Sequence, residues 1–176
     1  LLTHTSGFAY DLWDADLDAH LERTGQPRMS ERTLETLVVP LSFDPGTRWR
    51  YGIGIDWAGQ MIERVSGMRL GDYFAEHVCG PLGMVDTSYA MTEVMAARAS
   101  SLHFRRTDGG FDVAPLSVAV DPEIDFGGGD MFGTMPDYAR LLRMMLRGGE
   151  LDGERLLRPE TIDLMAQNHI GELRVE

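Results

Sequence analysis

The sequence predicts a chain that is mainly α, with at most one or two small hairpins and no main sheet. Three observations predict it. Apolar residues recur at helical spacing over 55–66, 70–78 and 135–147. Cap residues and glycines bracket those stretches. Only Asp108-Gly109-Gly110, between two short apolar segments, carries a clear hairpin signal.

Taken in order, residues 11–29 are polar and mixed. Asp14-x-Asp16-x-Asp18 has the spacing of half a calcium loop, but Ala19 and Gly25 stand where such a loop needs Gly and Glu, so the segment reads as a solvated acidic loop. Ser30 offers an N-cap to a short helix with Leu34, Leu37 and Val38 as its apolar face, ended by Pro40. Phe43-Asp44-Pro45-Gly46 is a turn by composition. In the helix expected over 55–66, Ile55, Ala58, Gly59, Ile62 and Val65 share a face, and Gly67 suits its left-handed end. The helix expected over 70–78 is closed by Gly80-Pro81, and a shorter one is expected over 91–97. Residues 102–104 and 111–113 form the hairpin, and 114–133 read as loop. Thr134-x-x-Asp137 resembles a capping box for a helix whose stripe is Ala139, Leu142, Met145 and Leu146. Leu151-Asp152-Gly153-Glu154 is a tight turn, and Pro159 opens a last helix.

Composition narrows the chemistry. The 176 residues carry a formal net charge of −12, which opposes binding to nucleic acid or to anionic membranes. One cysteine, Cys79, excludes an internal disulfide framework and a Cys-rich zinc site. No apolar run approaches the ~18 residues of a membrane span. All 16 basic residues are Arg, so every mechanism needing a lysine inside this chain is excluded. The chain opens in mid-pattern on Leu1-Leu2-Thr3-His4, which predicts that it starts inside a larger protein.

Several groups are candidates for chemistry. His4, His20, His77, His103 and His169 show no metal-ligand spacing and read as surface or capping residues. Ser6 lies too close in sequence to His4 for attack geometry on one turn. Phe126-Gly127-Gly128-Gly129 lacks a following Lys-Ser/Thr and reads as a tight backbone path beside a pocket. Tyr51 precedes the Gly52/Gly54 turn into the 55–66 helix. A tyrosine there can present its phenol to a cleft, where a positive helix end favours the phenolate that a general base requires. Packing in the turn is the other reading of the same residue.

Further stretches carry a resemblance. Leu1-Leu2-Thr3-His4-Thr5-Ser6-Gly7, Pro45-Gly46-x-x-Trp49-x-Tyr51, Ile62-x-x-Val65-Ser66-Gly67 and Pro81-Leu82-Gly83-Met84-x-Asp86-Thr87 come first. Gly127 through Leu142 and Leu156-Leu157-x-Pro159-Glu160-Thr161 follow. In this order they resemble the serine beta-lactamase-like hydrolases, and most closely the family VIII carboxylesterases.

The resemblance implies that this chain is the helical domain of a two-domain fold, α/β plus all-α, and that residues 1–176 are a partial domain. It implies that the Ser-x-x-Lys motif and the Lys-Thr-Gly-like strand lie outside the chain. Tyr51 matches the Tyr of the family's Tyr-x-Asn motif, the general base, while Ile53 replaces the Asn that helps bind a beta-lactam amide. Tyr10 and Asp56 match pocket positions, and Phe126 and Gly127 are further pocket candidates. The implied activity is hydrolysis of short-chain esters through an acyl-enzyme, without cofactor or metal, and with this chain alone inactive. The alternatives are a beta-lactamase, a D-aminopeptidase or an acyltransferase of the same fold, or a catalytically dead helical binding module. The implied partner is a small-molecule ester, with self-association or complementary segments of the same protein as further expectations. The compartment stays open, with the cytoplasm favoured.

Overall fold

The computed structural model describes residues 1–114 and 122–175, so part of the loop expected over 114–133 lies outside the described residues. A 3-10 turn at Asp11–Trp13 leads into α1, Ala15–Thr24. Asp14 is its N-cap, accepting from the Leu17 amide at 3.0 Å, and Asp16 and Asp18 sit in its first turn. The acidic run read as a loop is therefore a helix start. The deciding signal is Leu17 and Leu21, one turn apart and both buried. The helix expected from Ser30 is instead two 3-10 turns, Met29–Glu31 and Leu34–Leu37, because Arg32 between them adopts φ +52.

Helix α2, Gly54–Ser66, ends on Gly67 at φ +71. Its buried residues are Gly54, Asp56 and Gly59, while Val65 is 87% exposed. The apolar stripe thus marks the packed face only in part: Gly59 is buried and Ile55, Ala58 and Ile62 are half-buried. A Cβ on Gly59 would stand 3.4 Å from Gly127 Cα and 2.9 Å from Leu70 Cδ2, so this face is chosen for close backbone approach.

Helix α3, Leu70–Phe74, continues through a π turn at Ala75–Cys79 into α4, Gly80–Leu82. Gly80-Pro81 does not close it. In the π turn the Gly80 amide donates to Ala75 O, and Pro81 falls in the first turn of α4, where a missing N–H leaves no gap. Gly83, at φ +64, ends the run. Helix α5, Glu93–Ala96, is capped by Thr92. Strands β1, Leu102–Arg105, and β2, Phe111–Ala114, pair antiparallel from Leu102–Ala114 to Arg105–Phe111 around the Asp108-Gly109-Gly110 turn.

Thr134 caps α6, Met135–Leu146. Only half of a capping box forms, because Asp137 turns its carboxylate to the Asp86 amide at 2.7 Å and the Thr87 hydroxyl at 2.9 Å. Met144 enters the core, where it meets Cys79, Leu82, Met84 and Leu151, and of the expected stripe of Ala139, Leu142, Met145 and Leu146 only Met145 packs against it. Strands β3, Glu150–Leu151, and β4, Glu154–Arg155, are joined by Asp152 and Gly153, both at positive φ, and α7 covers Pro159–Met165. A second core, Leu37, Ile53, Ile124 and Phe126, underlies the site described below.

The mainly α class expected of the chain does not hold. Helix accounts for 41% of the described residues. Much of the rest is turn and extended backbone held by hydrogen bonds between backbone groups, and three buried carboxylates tie separate segments together. Asp125 accepts from the Gly71 amide at 3.0 Å, Asp137 from Asp86, and Asp56 from Gly128. Among the described residues, no helix is long and apolar enough to cross a membrane.

Candidate active site

Tyr51 sits three residues ahead of α2, at the rim of a cavity of about 640 Å³. Its ring lies 4.7 Å from the His4 ring, 5.0 Å from Tyr10 and 5.5 Å from Trp13. It is 39% exposed, packed on one side by these rings and lining the cavity. The turn at Pro45-Gly46 brings this segment back against residues 4–7: the Gly46 amide donates to Thr5 O at 2.7 Å and the Ser42 amide to Gly7 O at 2.8 Å.

The inner wall is built around Asp56, on the first turn of α2 and only 1% exposed. Its Oδ1 accepts from the Gly128 amide at 2.9 Å and its Oδ2 from the Tyr10 hydroxyl at 2.9 Å. Burial pushes its carboxyl above the ordinary value, while these two donors pull the other way. Burial and then the Asp56 charge push the Tyr10 phenol well up, so Tyr10 is a hydrogen-bond donor here and no base.

The glycine run follows the same wall. Phe126 lines the cavity, and its carbonyl accepts from the Tyr89 hydroxyl at 2.7 Å. Gly127 lies behind the wall, where a Cβ would collide with Ile55 O of α2. Gly128 and Gly129 line the cavity instead. Of the residues singled out from the sequence, Tyr10, Tyr51, Asp56 and Phe126 thus share one cavity, and Gly127 supports it from outside.

Sequence reasoning missed another part of the cavity. Trp13 and Met29 line it, together with Arg28, which pairs with Asp11 at 3.2 Å. Tyr10-x-x-Trp13, two aromatics one turn apart beside the candidate pocket residue, was the available signal. It also missed His4, whose ring packs on Tyr51. Ile53 is buried in the core beside Leu37 and Phe126 and offers nothing to the cavity. Cys79 is buried far along the chain in the other core, its thiol pushed up by burial and then by the Asp137 charge.

Chemically, this is an aromatic-walled cleft with one phenol at its rim and one buried, doubly bonded carboxylate in its floor. It can seat an apolar group. Among the described residues, no group of three His, Cys, Asp or Glu could hold a metal ion.

Several known proteins are similar to this chain. A monacolin J acid methylbutanoyltransferase from Aspergillus terreus is 34% identical over 174 residues, covering 95% of this chain and 41% of its own length. A lovastatin esterase from Penicillium rubens is 33% identical over 178 residues, covering 97% of this chain and 44% of its own. The solved LovD6 mutant of simvastatin synthase from Aspergillus terreus superposes with a TM-score of 0.79 at 35% identity, covering 94% of this chain and 40% of that one. The chain therefore spans about two fifths of the length of these relatives. Such neighbours carry the beta-lactamase fold, which replaces the mainly α class as the description of this chain. The profile described as Beta-lactamase matches residues 1–172, and the chain belongs to the Beta-lactamase family.

Proposed function

We propose that this chain is the middle portion of an acyl-transferring serine hydrolase, a carboxylesterase in its simplest form, in which Tyr51 is the general base. A serine outside residues 1–176 attacks an ester carbonyl, and the Tyr51 phenolate takes its proton. The alcohol leaves with that proton, and water then releases the acyl group by the reverse transfer. The chain contains no lysine, so a Ser-x-x-Lys pair belongs outside it, and the isolated 176 residues have a base without a nucleophile. Acyl transfer through an activated hydroxyl needs no cofactor.

The observation that carries this reading is that Tyr51 lines one cavity with Phe126 and the Tyr10–Asp56 pair, its ring 5.0 Å from that of Tyr10. An ester is favoured over a beta-lactam because Ile53 stands where the resemblance calls for Asn, and it is turned into the core. A second reading, with an alcohol rather than water as acyl acceptor, is supported by the names of two relatives, a methylbutanoyltransferase and an esterase. Tyr10, Asp56, Phe126 and Gly127 serve either reading by shaping the pocket.

The test is turnover of a short-chain chromogenic ester by the complete protein, with and without an added alcohol. Tyr51→Phe is expected to lower kcat by about 10²–10⁴-fold. Retention of kcat in Tyr51→Phe would overturn the base assignment. Turnover by the isolated 176-residue chain, abolished both by Tyr51→Phe and by serine-directed acylating reagents, would overturn the division of the site. The split between hydrolysed and transferred product separates esterase from acyltransferase.

A further inference from the structure

We infer that His4 is a positioning residue for Tyr51, holding the backbone on both sides of it. This inference rests on the reading of Tyr51 as general base. His4 O accepts from the Arg50 amide at 2.9 Å, and His4 Nδ1 accepts from the Gly52 amide at 3.4 Å. Between those two bonds the imidazole lies against the Tyr51 ring, 4.7 Å between centroids at 56°. On the other side it meets the Trp49 ring at 5.7 Å. One residue thus touches four successive residues, 49 to 52, with Tyr51 inside the grip.

The grip is built into the backbone. His4 adopts φ +56, a left-handed conformation uncommon for a side-chain-bearing residue, and its amide donates to Leu1 O at 3.2 Å. That turn directs its carbonyl and its ring toward the same neighbouring segment. Gly52 is pressed from the far side, since a Cβ there would collide with Phe8 O. Segment 49–52 is therefore clasped between His4 and the Phe8–Ala9 backbone, and the phenol is left little freedom to swing. Displacing a proton acceptor by about 1 Å can lower turnover about a hundredfold, so such a clasp bears on rate and not only on stability.

The role requires an unprotonated Nδ1, because an imidazolium has no acceptor. Burial lowers the His4 pKa from 6.5, which keeps the ring neutral near pH 7. Against burial act the Gly52 backbone and then the Asp56 carboxylate of α2, both of which raise it. Trp49 and Tyr51 pack on the ring. As pH falls through the His4 pKa, Nδ1 takes a proton and can no longer accept from the Gly52 amide.

Two measurements test this on the complete protein. In NMR with ¹⁵N-labelled histidine and glycine, the neutral His4 ring should carry its proton on Nε2. The Gly52 amide and the Tyr51 ring signals should shift together with the His4 titration. In kinetics, His4→Gly permits the same backbone and removes the acceptor. Its kcat should fall by about ten- to a hundredfold with KM changed less than about twofold. His4→Asn keeps an acceptor oxygen and tolerates positive φ, so it should recover most of that kcat and lose the acid limb due to His4. Gly52 and Tyr51 signals that ignore the His4 titration would overturn the inference, as would wild-type kcat in His4→Gly or equal impairment in both variants. An unaltered Tyr51→Phe enzyme defeats the general-base reading instead, and the NMR coupling then decides the grip by itself.

Discussion

The Tyr10 hydroxyl donates to Asp56 Oδ2 at 2.9 Å, joining residues 46 positions apart across the floor of the cavity. Gly128 closes the arrangement by donating its amide to the other oxygen of the same carboxylate. Three separate stretches of chain meet on one buried side chain. Tyr10→Phe should therefore cost about 1.5–3 kcal/mol, the range for a hydrogen bond to a charged group. Urea unfolding of wild type and variant at neutral pH checks this, and a loss below experimental error would show that the pair does not hold the wall.

Asp56 also sets a pH dependence. Its folded pKa is raised from 3.8, chiefly by burial. The folded state then binds the Asp56 proton more readily than the unfolded state. Ionised Asp56 consequently costs stability near neutral pH, and that cost is relieved as pH falls through the folded value. Wild-type stability measured against Asp56→Asn should rise between about pH 7 and about pH 4. A difference that stays flat or falls over that window contradicts the sign.

The glycine run gives a graded series. Gly129 has open space where a Cβ would go, so Gly129→Ala should stay within about 0.5 kcal/mol of wild type. A Cβ at Gly127 strikes the backbone of Ile55, and Gly127→Ala should cost about 1–3 kcal/mol. At Gly128 the same atom would sit 2.8 Å from both Tyr10 Oη and Ile55 Cγ2, so Gly128→Ala should also loosen the Tyr10–Asp56 bond. Thermal melts rank the three, and a reversed order of Gly127 and Gly129 would rule the packing out.

The packed side of α6 is tested by two substitutions. Met144 is 2% exposed inside the core, and Met144→Ala should cost about 2–5 kcal/mol. Leu146 is 87% exposed, and Leu146→Ala should fall within about 0.5 kcal/mol. Equal losses at the two positions would place the helix on a different face.

Local signals were legible wherever chemistry acts over a few residues. Thr134, Gly67 and Pro159 mark helix ends because caps, left-handed turns and a missing amide are properties of the residue itself. Asp108-Gly109-Gly110 and Asp152-Gly153 turn the chain for the same reason. Tyr51 was legible as a residue ahead of a helix, and Tyr10, Asp56 and Phe126 as its companions through the resemblance. Less legible were the faces. Val65, Leu142 and Leu146 complete apolar stripes yet are exposed, while Gly54 and Asp56, outside the stripe, are buried.

By itself, then, the sequence determined the turns and caps, the absence of lysine chemistry within the chain, and the family to which it belongs. Tertiary structure alone decided that Asp14 starts a helix rather than a loop, that Gly127 stands behind the wall while Gly128 forms it, and that His4 reaches Tyr51. The physical reason is range. Caps and turns are settled by bonds between near neighbours, whereas a packed face or a clasped phenol depends on which distant backbone can approach closely enough to bond.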